Sequence, residues 1–308
     1  MPKQAQGYDH TVTIGVEATA GTKATIFKHA TIIESFEPEE KNNVDVRRGI
    51  GQREAFMLRT GAKEVDASIK GALQNGRLLF LALGNEVKTG DATVGFTHTL
   101  KPVKAGQELP SFTAQHNIAG AGLLRNYLGG KIDTLTISAK AEEAVEVSAD
   151  MQFMKVDDTG TATVVPAELN NYMMFYEGTV KINNTAVGNI SEFELEIANN
   201  LERKFAINGT DTAARVQEGA CDITSSITFD FMDTTQWTNF KNGADITVEL
   251  NFQDISNPKN AMKFTLSGGK YDTNAIGAGA EDLTEQSVEA IYTGITVEVK
   301  DTIDKYFA

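Results

Sequence analysis

The residue types that usually catalyse reactions or bind metals are few in this chain, and they are scattered. Its 308 residues include a single cysteine, Cys221, which excludes an intrachain disulfide and a zinc site made of four thiolates. The four histidines form no H-x-H or H-x-x-x-H pair that would place two imidazoles on one metal. No G-x-S-x-G sequence places a serine nucleophile on a strained turn. The sequence therefore predicts no catalytic, metal or cofactor site.

Two Gly-Gly-Lys segments, at 129–131 and 268–270, are the closest approach to a phosphate-binding loop. A phosphate site of that type needs its glycines at the N-terminus of a helix, where free backbone N–H groups and the helix dipole meet the anion. Both segments instead precede strand-like sequence. We therefore interpret them as hairpin residues.

The charge balance argues against a protein that grips nucleic acid, but not against one past which nucleic acid moves. The chain has 28 Lys+Arg against 42 Asp+Glu, a formal net charge of −14. Proteins that grip nucleic acid neutralise its phosphates with Lys and Arg, so this balance argues against a nucleic-acid-binding protein. The N-terminus shows no basic-then-apolar signal segment, and no apolar run approaches membrane-spanning length. We expect a soluble protein made in the cytoplasm, with no membrane partner.

Strands are predicted to form most of the structure. Apolar and polar residues alternate with a period of two at 145–153, 193–197, 223–231 and 246–252. That period is typical of antiparallel strands with one buried face. One short helix is predicted in each half, at 74–83 and at 234–241, because Gly or Asn follows each apolar segment. We expect Trp237 to pack into the core and Cys221 to be partly buried.

The second half of the chain repeats the first in three collinear blocks. They are 33–43 (IESFEPEEKNN) with 190–200 (ISEFELEIANN), 61–69 with 219–227, and 129–134 (GGKIDT) with 268–273 (GGKYDT). The last pair of blocks is closer together in sequence than the first two, which places extra residues of the first copy between Leu83 and Gly129. The prediction is an N-terminal arm at 1–30, a first β domain at 31–157, a linker at 158–173 and a second β domain at 174–308.

Several segments, taken in order, resemble the tail tube proteins of long, non-contractile phage tails, in the branch with tandem tube domains. They are GTKAT (21–25), ESFEPEE (34–40), the strand at 65–73, FTHTL (96–100), LPSFT (109–113), LTISA (135–139) and EFELEIANNL (192–201). The second copy lacks a clear equivalent of LPSFT. The resemblance implies an all-β fold of two tandem β-sandwich or barrel domains, each with a short helix. It also implies a structural virion protein whose stacked rings form the hollow conduit for DNA ejection.

The resemblance further implies rings of six tube domains. Because this chain carries two, three chains would close a pseudo-hexameric ring, and a hexamer of whole chains is the alternative. The implied partners are other copies of the chain and the tail terminator, distal tail and tape-measure proteins. Viral DNA would pass through the lumen without specific binding. The expected location is the virion tail, after synthesis in the host cytoplasm, and no enzyme activity is expected.

Two long charged connections are predicted to project as hairpin tips and to contact adjacent rings. The candidate side chains are Arg47, Arg48, Arg53, Arg59, Arg203, Lys204 and Arg215. The alternative is a solvated, mobile loop, because charge runs are often that.

Acidic residues that alternate with core positions are candidates for the lining of the lumen. They are Glu37, Glu39, Glu146, Asp150, Glu194 and Glu196. An acidic lining repels phosphate, so DNA would slide past it without adhering. The alternative position for each of them is the outer surface of the tube.

A different class of function also fits a duplicated acidic β protein, namely a non-catalytic surface or filament protein or a carbohydrate-binding module. Lectin-type modules usually expose clustered aromatic residues. Here most Phe and Tyr residues occupy the apolar positions of the alternating strands, which favours the tail tube.

Overall fold

The computed structural model describes residues 4–166, 168, 170–277 and 283–307, and within these ranges the chain is mostly β. The strands of the first half are β1 (His10–Val16), β2 (Ile32–Lys41), β3 (Asp45–Arg47), β4 (Met57–Arg59), β5 (Glu64–Ala72), β6 (Gly84–Asp91), β7 (Gly95–Pro102), β8 (Phe112–Ile118), β9 (Leu123–Lys140), β10 (Glu146–Phe153) and β11 (Lys155–Asp157). Those of the second half are β12 (Gly178–Ile182), β13 (Thr185–Val187), β14 (Ile190–Ala198), β15 (Glu202–Lys204), β16 (Arg215–Gln217), β17 (Asp222–Asp230), β18 (Ile246–Gln253), β19 (Ala261–Ile276), β20 (Glu285–Tyr292) and β21 (Gly294–Asp301).

Each half contains one short α-helix in its described residues, α1 (Arg77–Leu83) and α2 (Thr235–Lys241). The predicted all-β fold with one short helix in each half is therefore confirmed. The first helix begins three residues later than predicted, because the Asn75 side chain accepts a hydrogen bond from the Arg77 N–H (3.0 Å) and turns the preceding backbone. No helix in the described part of the chain is both long and apolar enough to cross a membrane.

Eight of the described strands form one continuous antiparallel sheet, here called the long sheet. Its order is β2-β5-β10-β9-β14-β17-β20-β19. One face of the long sheet carries the core, where residues such as Ile69, Ala149 and Leu195 are at most 1% exposed. Residues between them point to the opposite, polar face. Within the described residues, β2 and the 270–276 part of β19 are the two edges.

The two halves of the long sheet have matching registers. Phe36 on β2 lies opposite Ile69 on β5, and Phe193 on β14 lies opposite Ile227 on β17. These are the residues that the sequence repeat makes equivalent. Similar registers in two four-stranded units support the repeat independently of residue identity.

Bulges in the long sheet fall at equivalent positions as well. The pairing of β2 with β5 skips Glu34, and that of β14 with β17 skips Ser191, the residue that the repeat aligns with it. The pairing of β9 with β10 skips Asp133, and that of β19 with β20 skips Asp272, its counterpart in the second copy. A bulge is far more specific than strand alternation, because it fixes one extra residue in one strand.

Two smaller sheets pack behind the long sheet. One has the order β1-β8-β9-β11, and the other has the order β13-β12-β18-β19-β21-β7-β6. The β6–β7 hairpin occupies the stretch where the first copy carries its extra residues. Strand β1 lies within the segment predicted as an N-terminal arm, so that segment contributes to a sheet. The described residues of 158–173, the predicted linker, form no helix or strand.

The Gly-Gly-Lys segments are bends inside long strands, so their interpretation as hairpin residues was wrong. Gly129 and Gly130 lie where β9 leaves its pairing with β8 and joins β10. Gly268 and Gly269 lie at the same point of β19. Gly129 and Gly268 have φ of 65° and 61°, the left-handed region that favours glycine. Strand alternation cannot reveal such a bend, because the period continues on both sides of it.

The expectation that Trp237 packs into the core is wrong. Trp237 is 40% exposed and lies under the Lys241 ammonium, 5.0 Å from the ring centroid, because α2 buries none of its residues. Helix α1 differs, since six of its seven residues are buried. Cys221 is exposed.

The C-terminal residues of the chain return to the first half. Tyr306 is 2% exposed and stacks on His98 with the ring centroids 4.4 Å apart. The Arg77 Nε donates a hydrogen bond to the Tyr306 carbonyl (3.0 Å), and Phe307 lies against Phe80. These contacts connect the last residues of the second half to α1 and the β6–β7 hairpin.

His98 makes this contact sensitive to pH. Burial alone would lower its pKa, but hydrogen bonds to Asp301 and Glu86 outweigh burial and raise the pKa to about 9 from 6.5. Because the folded pKa is the higher one, the stabilisation is complete below about pH 6.5 and is lost as the pH rises through about 9. We expect the free energy of unfolding to fall by up to ~3 kcal/mol over that range.

Urea denaturation below about pH 6.5 and again above about pH 9 measures this change in the free energy of unfolding. His98→Gln should remove most of the change. An equal pH dependence in the variant and the parent protein would contradict the assignment.

Candidate functional site

The six acidic residues predicted to line the lumen share one surface. Glu37 and Glu39 lie on β2, Glu146 and Asp150 on β10, and Glu194 and Glu196 on β14, all on the polar face of the long sheet. The register aligns them across strands, since Ser138 on β9 lies opposite both Glu146 and Glu194. The strand period that predicted their common orientation is thus matched by their placement, while the direction of this face in an assembly stays a prediction.

This face contains two equivalent acidic recesses, one in each half. The first is lined by Glu37, Glu39, Asp66, Asp133 and Asp150, and the second by Glu194, Glu196, Asp272 and Glu289. Four of these residues, Asp66, Asp133, Asp272 and Glu289, were not among the candidates from the sequence. The repeat aligns Glu289 with Asp150 and could have found it. The two bulge positions, Asp133 and Asp272, could not be assigned to this face from strand alternation, because alternation does not locate a bulge.

Electrostatic repulsion acts within the first recess. Burial raises the pKa of Asp150, and the nearby Asp133 carboxylate raises it further. The few cations on this face are already paired in part, as for Lys70, whose Nζ lies 2.9 Å from a Glu146 carboxylate oxygen. The face therefore presents a mainly negative surface, which repels polyanions.

The seven basic candidates all lie on or within two hairpins. The β3–β4 hairpin connects β2 to β5, and the β15–β16 hairpin connects β14 to β17. Arg47 is paired with Asp45 of its own hairpin (2.7 Å), and Lys204 is paired with Glu202. Arg48, Arg53, Arg59 and Arg215 are exposed.

Arg203 differs from the other basic candidates because the chain itself binds it. Its guanidinium donates hydrogen bonds to the carbonyls of Val65 and Phe153 and forms an ion pair with Asp66, all in the first half. Arg203 is therefore committed within the chain and not available to a neighbouring ring. The sequence showed its charge but not the carboxylate that meets it.

The two halves are joined edge to edge inside the chain. Strand β9 pairs with β14 over seven residues, from Lys140 opposite Glu192 to Thr134 opposite Ala198. The core side of this junction is apolar and closed to solvent, since Ile137, Leu195 and Ile197 are fully buried. One half thus ends in a strand that the other half extends.

A family model described as phage tail tube protein matches residues 7–298, nearly the whole chain. The matched span includes both edges of the long sheet as described, the β9–β14 junction, both hairpins and all six acidic candidates. No curated protein matches the chain.

Proposed function

Because this chain belongs to the phage tail tube protein family, it is a structural subunit of the virion tail, and we propose that three copies close one ring of the tube. The β9–β14 junction is the observation that supports this proposal. It shows how one four-stranded unit continues into the next, and it leaves β2 and β19 with open edges. An open edge is an aggregation hazard unless another strand pairs with it.

The repeat gives the register of the missing junction. Replacing β9 by β19 and β14 by β2 at their equivalent positions places Ile276 of one chain opposite Pro38 of the next, as Ile137 lies opposite Leu195 within the chain. Three chains joined in this way form a closed sheet of 24 strands, three times the eight of the long sheet. We call the proposed β19–β2 junction the seam.

Closure directs one face of the long sheet inwards. We place the acidic face there, because the apolar face already packs against the two smaller sheets. Glu37, Glu39, Glu146, Asp150, Glu194 and Glu196 then line the lumen, and their charge keeps viral DNA from adhering as it passes.

Rings would stack through the hairpin tips. Arg48 and Arg53 lie at the exposed tip of the β3–β4 hairpin, and Arg47, Arg59, Lys204 and Arg215 lie nearer the hairpin strands. We propose contacts between these side chains and acidic residues of the adjacent ring, and we leave Arg203 out. The tail terminator, distal tail and tape-measure proteins would meet the tube at its ends or in its bore. No catalytic role is assigned to any residue.

Native mass spectrometry combined with negative-stain microscopy tests the stoichiometry. A ring of three 33.3 kDa chains has a mass of about 100 kDa, and tubes should show one such ring per repeat. Rings of six chains would overturn the trimer and favour the hexamer. A monomer at every concentration would favour a binding module instead.

A further inference from the structure

The two hairpins are built alike, but only the β15–β16 hairpin packs against the rest of its own chain. In the β3–β4 hairpin Val46 lies opposite Leu58, and in the β15–β16 hairpin Arg203 lies opposite Val216. Val216 is 3% exposed, whereas the equivalent Leu58 is 62% exposed. An apolar position that is exposed in one copy and buried in the other indicates a contact that a single chain cannot make.

The β15–β16 hairpin packs on a polar surface of the first half. This surface, formed around Asp66 and Gln152, is here called its seat. Arg203 forms its ion pair with Asp66, and the Gln152 side chain donates a hydrogen bond to the Leu201 carbonyl (3.4 Å). Just before the hairpin, Asn199 is 4% exposed.

The Asn199 amide donates to two carbonyls of the first half. They belong to Ala82 at the end of α1 (3.1 Å) and to Ile132 on β9 (3.0 Å). The seat therefore combines an ion pair, a side-chain amide and a cap on a helix end.

The second half offers an equivalent seat with different chemistry. In the alignment of the two copies, Thr224 takes the place of Asp66, and Ile291 takes the place of Gln152. Ile291 is 52% exposed on the polar face of the long sheet, an unusual position for isoleucine. The carbonyls of Phe240 and Tyr271 correspond to those that Asn199 caps.

The β3–β4 hairpin changes in the matching way. Val46 stands where the other hairpin has Arg203, and Val44 stands where it has Leu201; they are 46% and 51% exposed. Asn42 is retained at the position of Asn199. Arg203 therefore matches the seat that contains Asp66, and Val46 matches the seat that contains Thr224 and Ile291. Each hairpin fits one seat and not the other.

We infer that the β3–β4 hairpin of one chain docks on the Thr224–Ile291 seat of the next chain in the same ring. This inference rests on the proposed ring, because the seam is what brings that seat beside the hairpin. Val46 and Val44 then cover Thr224 and Ile291, and Asn42 caps the last turn of α2 as Asn199 caps α1. The base of the hairpin thus closes the ring, while its tip remains free to reach the adjacent ring.

The mismatch between hairpins also gives direction to assembly. Val46 on the Asp66 seat would leave that carboxylate without its arginine, and Arg203 on the Thr224 seat would find a threonine where Asp66 supplies the paired carboxylate. Chains therefore add with the first half of one against the second half of the next, and the within-chain and between-chain junctions do not interchange.

Introducing the Arg203–Asp66 pair at the equivalent between-chain positions tests the inference. Val46→Arg removes an apolar contact with Ile291 and places a charge where the seat has no carboxylate at the Asp66 position, and we expect at least a tenfold loss of rings. Thr224→Asp in the same chain recreates the Arg203–Asp66 pair between chains, and we expect it to restore most of the ring population. Val94→Arg, at a 69% exposed turn position, is the matched control and should assemble normally.

Rings from Val46→Arg at the parent yield, or no recovery with Thr224→Asp, would overturn the docking. Native mass spectrometry reads both outcomes, and circular dichroism checks that each variant is folded. If the parent protein itself forms no three-chain ring, the proposed function fails, which is a distinct result.

Crosslinking locates the seat independently of any loss of assembly. Val44→Cys with Ile291→Cys, in a Cys221→Ser background, should give oxidised products that stop at three chains. Products that extend beyond one ring would instead place the hairpin on an adjacent ring, and the absence of any crosslink in assembled rings would reject the contact.

Discussion

Replacing Ile276 with aspartate is expected to abolish ring formation while leaving the single chain folded. Ile276 is 43% exposed in the chain, so the substitution adds a carboxylate to a surface. Its equivalent at the within-chain junction, Ile137, is fully buried. At the seam the variant would lose apolar burial and bury a charge that has no partner. We expect a cost of at least ~3 kcal/mol per seam, roughly a 100-fold weaker association.

Size-exclusion chromatography with light scattering measures this loss, and urea denaturation of the dilute chain measures its fold. Val94→Asp, another exposed apolar position, is the control for added charge. Normal rings from Ile276→Asp would show that the open edge of β19 is not where chains meet.

Reversing charge on the acidic face is expected to turn a tube to which DNA does not adhere into one that binds DNA. Glu37→Lys and Glu194→Lys change equivalent positions of the two halves. A ring of three such chains gains about 12 units of positive charge, which the proposed ring places in the bore. With six or more phosphate contacts, binding should fall by roughly 10³-fold between about 50 and 200 mM salt.

Filter binding of single DNA fragments to preassembled open tubes measures this effect at both salt concentrations. The control changes the same number of charges away from this face, by Glu298→Lys with Asp158→Lys. Equal DNA binding by the two variants would indicate that the acidic face does not line the bore.

Local pattern was sufficient to predict the strands and the acidic face. Side chains two residues apart share a face, so Glu194 and Glu196 had to lie opposite the core residues Phe193 and Leu195. The repeat in sequence likewise predicted that Phe36 and Phe193 occupy equivalent strands, and the register now supports that equivalence.

What the sequence left open depends on contacts between distant segments. Nothing near Arg203 in the sequence indicates that its guanidinium pairs with the carboxylate of Asp66, far earlier in the chain. The bend at Gly129 is invisible to a period of two, although it decides which sheets β9 joins. The exposure of Trp237 was missed because a helix of seven residues carries too few positions to show which side is covered.

Cryo-electron microscopy of assembled tubes tests the central proposal most directly, because it resolves which strand lies beside each open edge. We predict three chains per ring, with the β19 edge of each chain paired to the β2 edge of the next and the six acidic positions turned to the bore. Rings in which β2 and β19 stay unpaired, or a bore dominated by Lys and Arg, would contradict it.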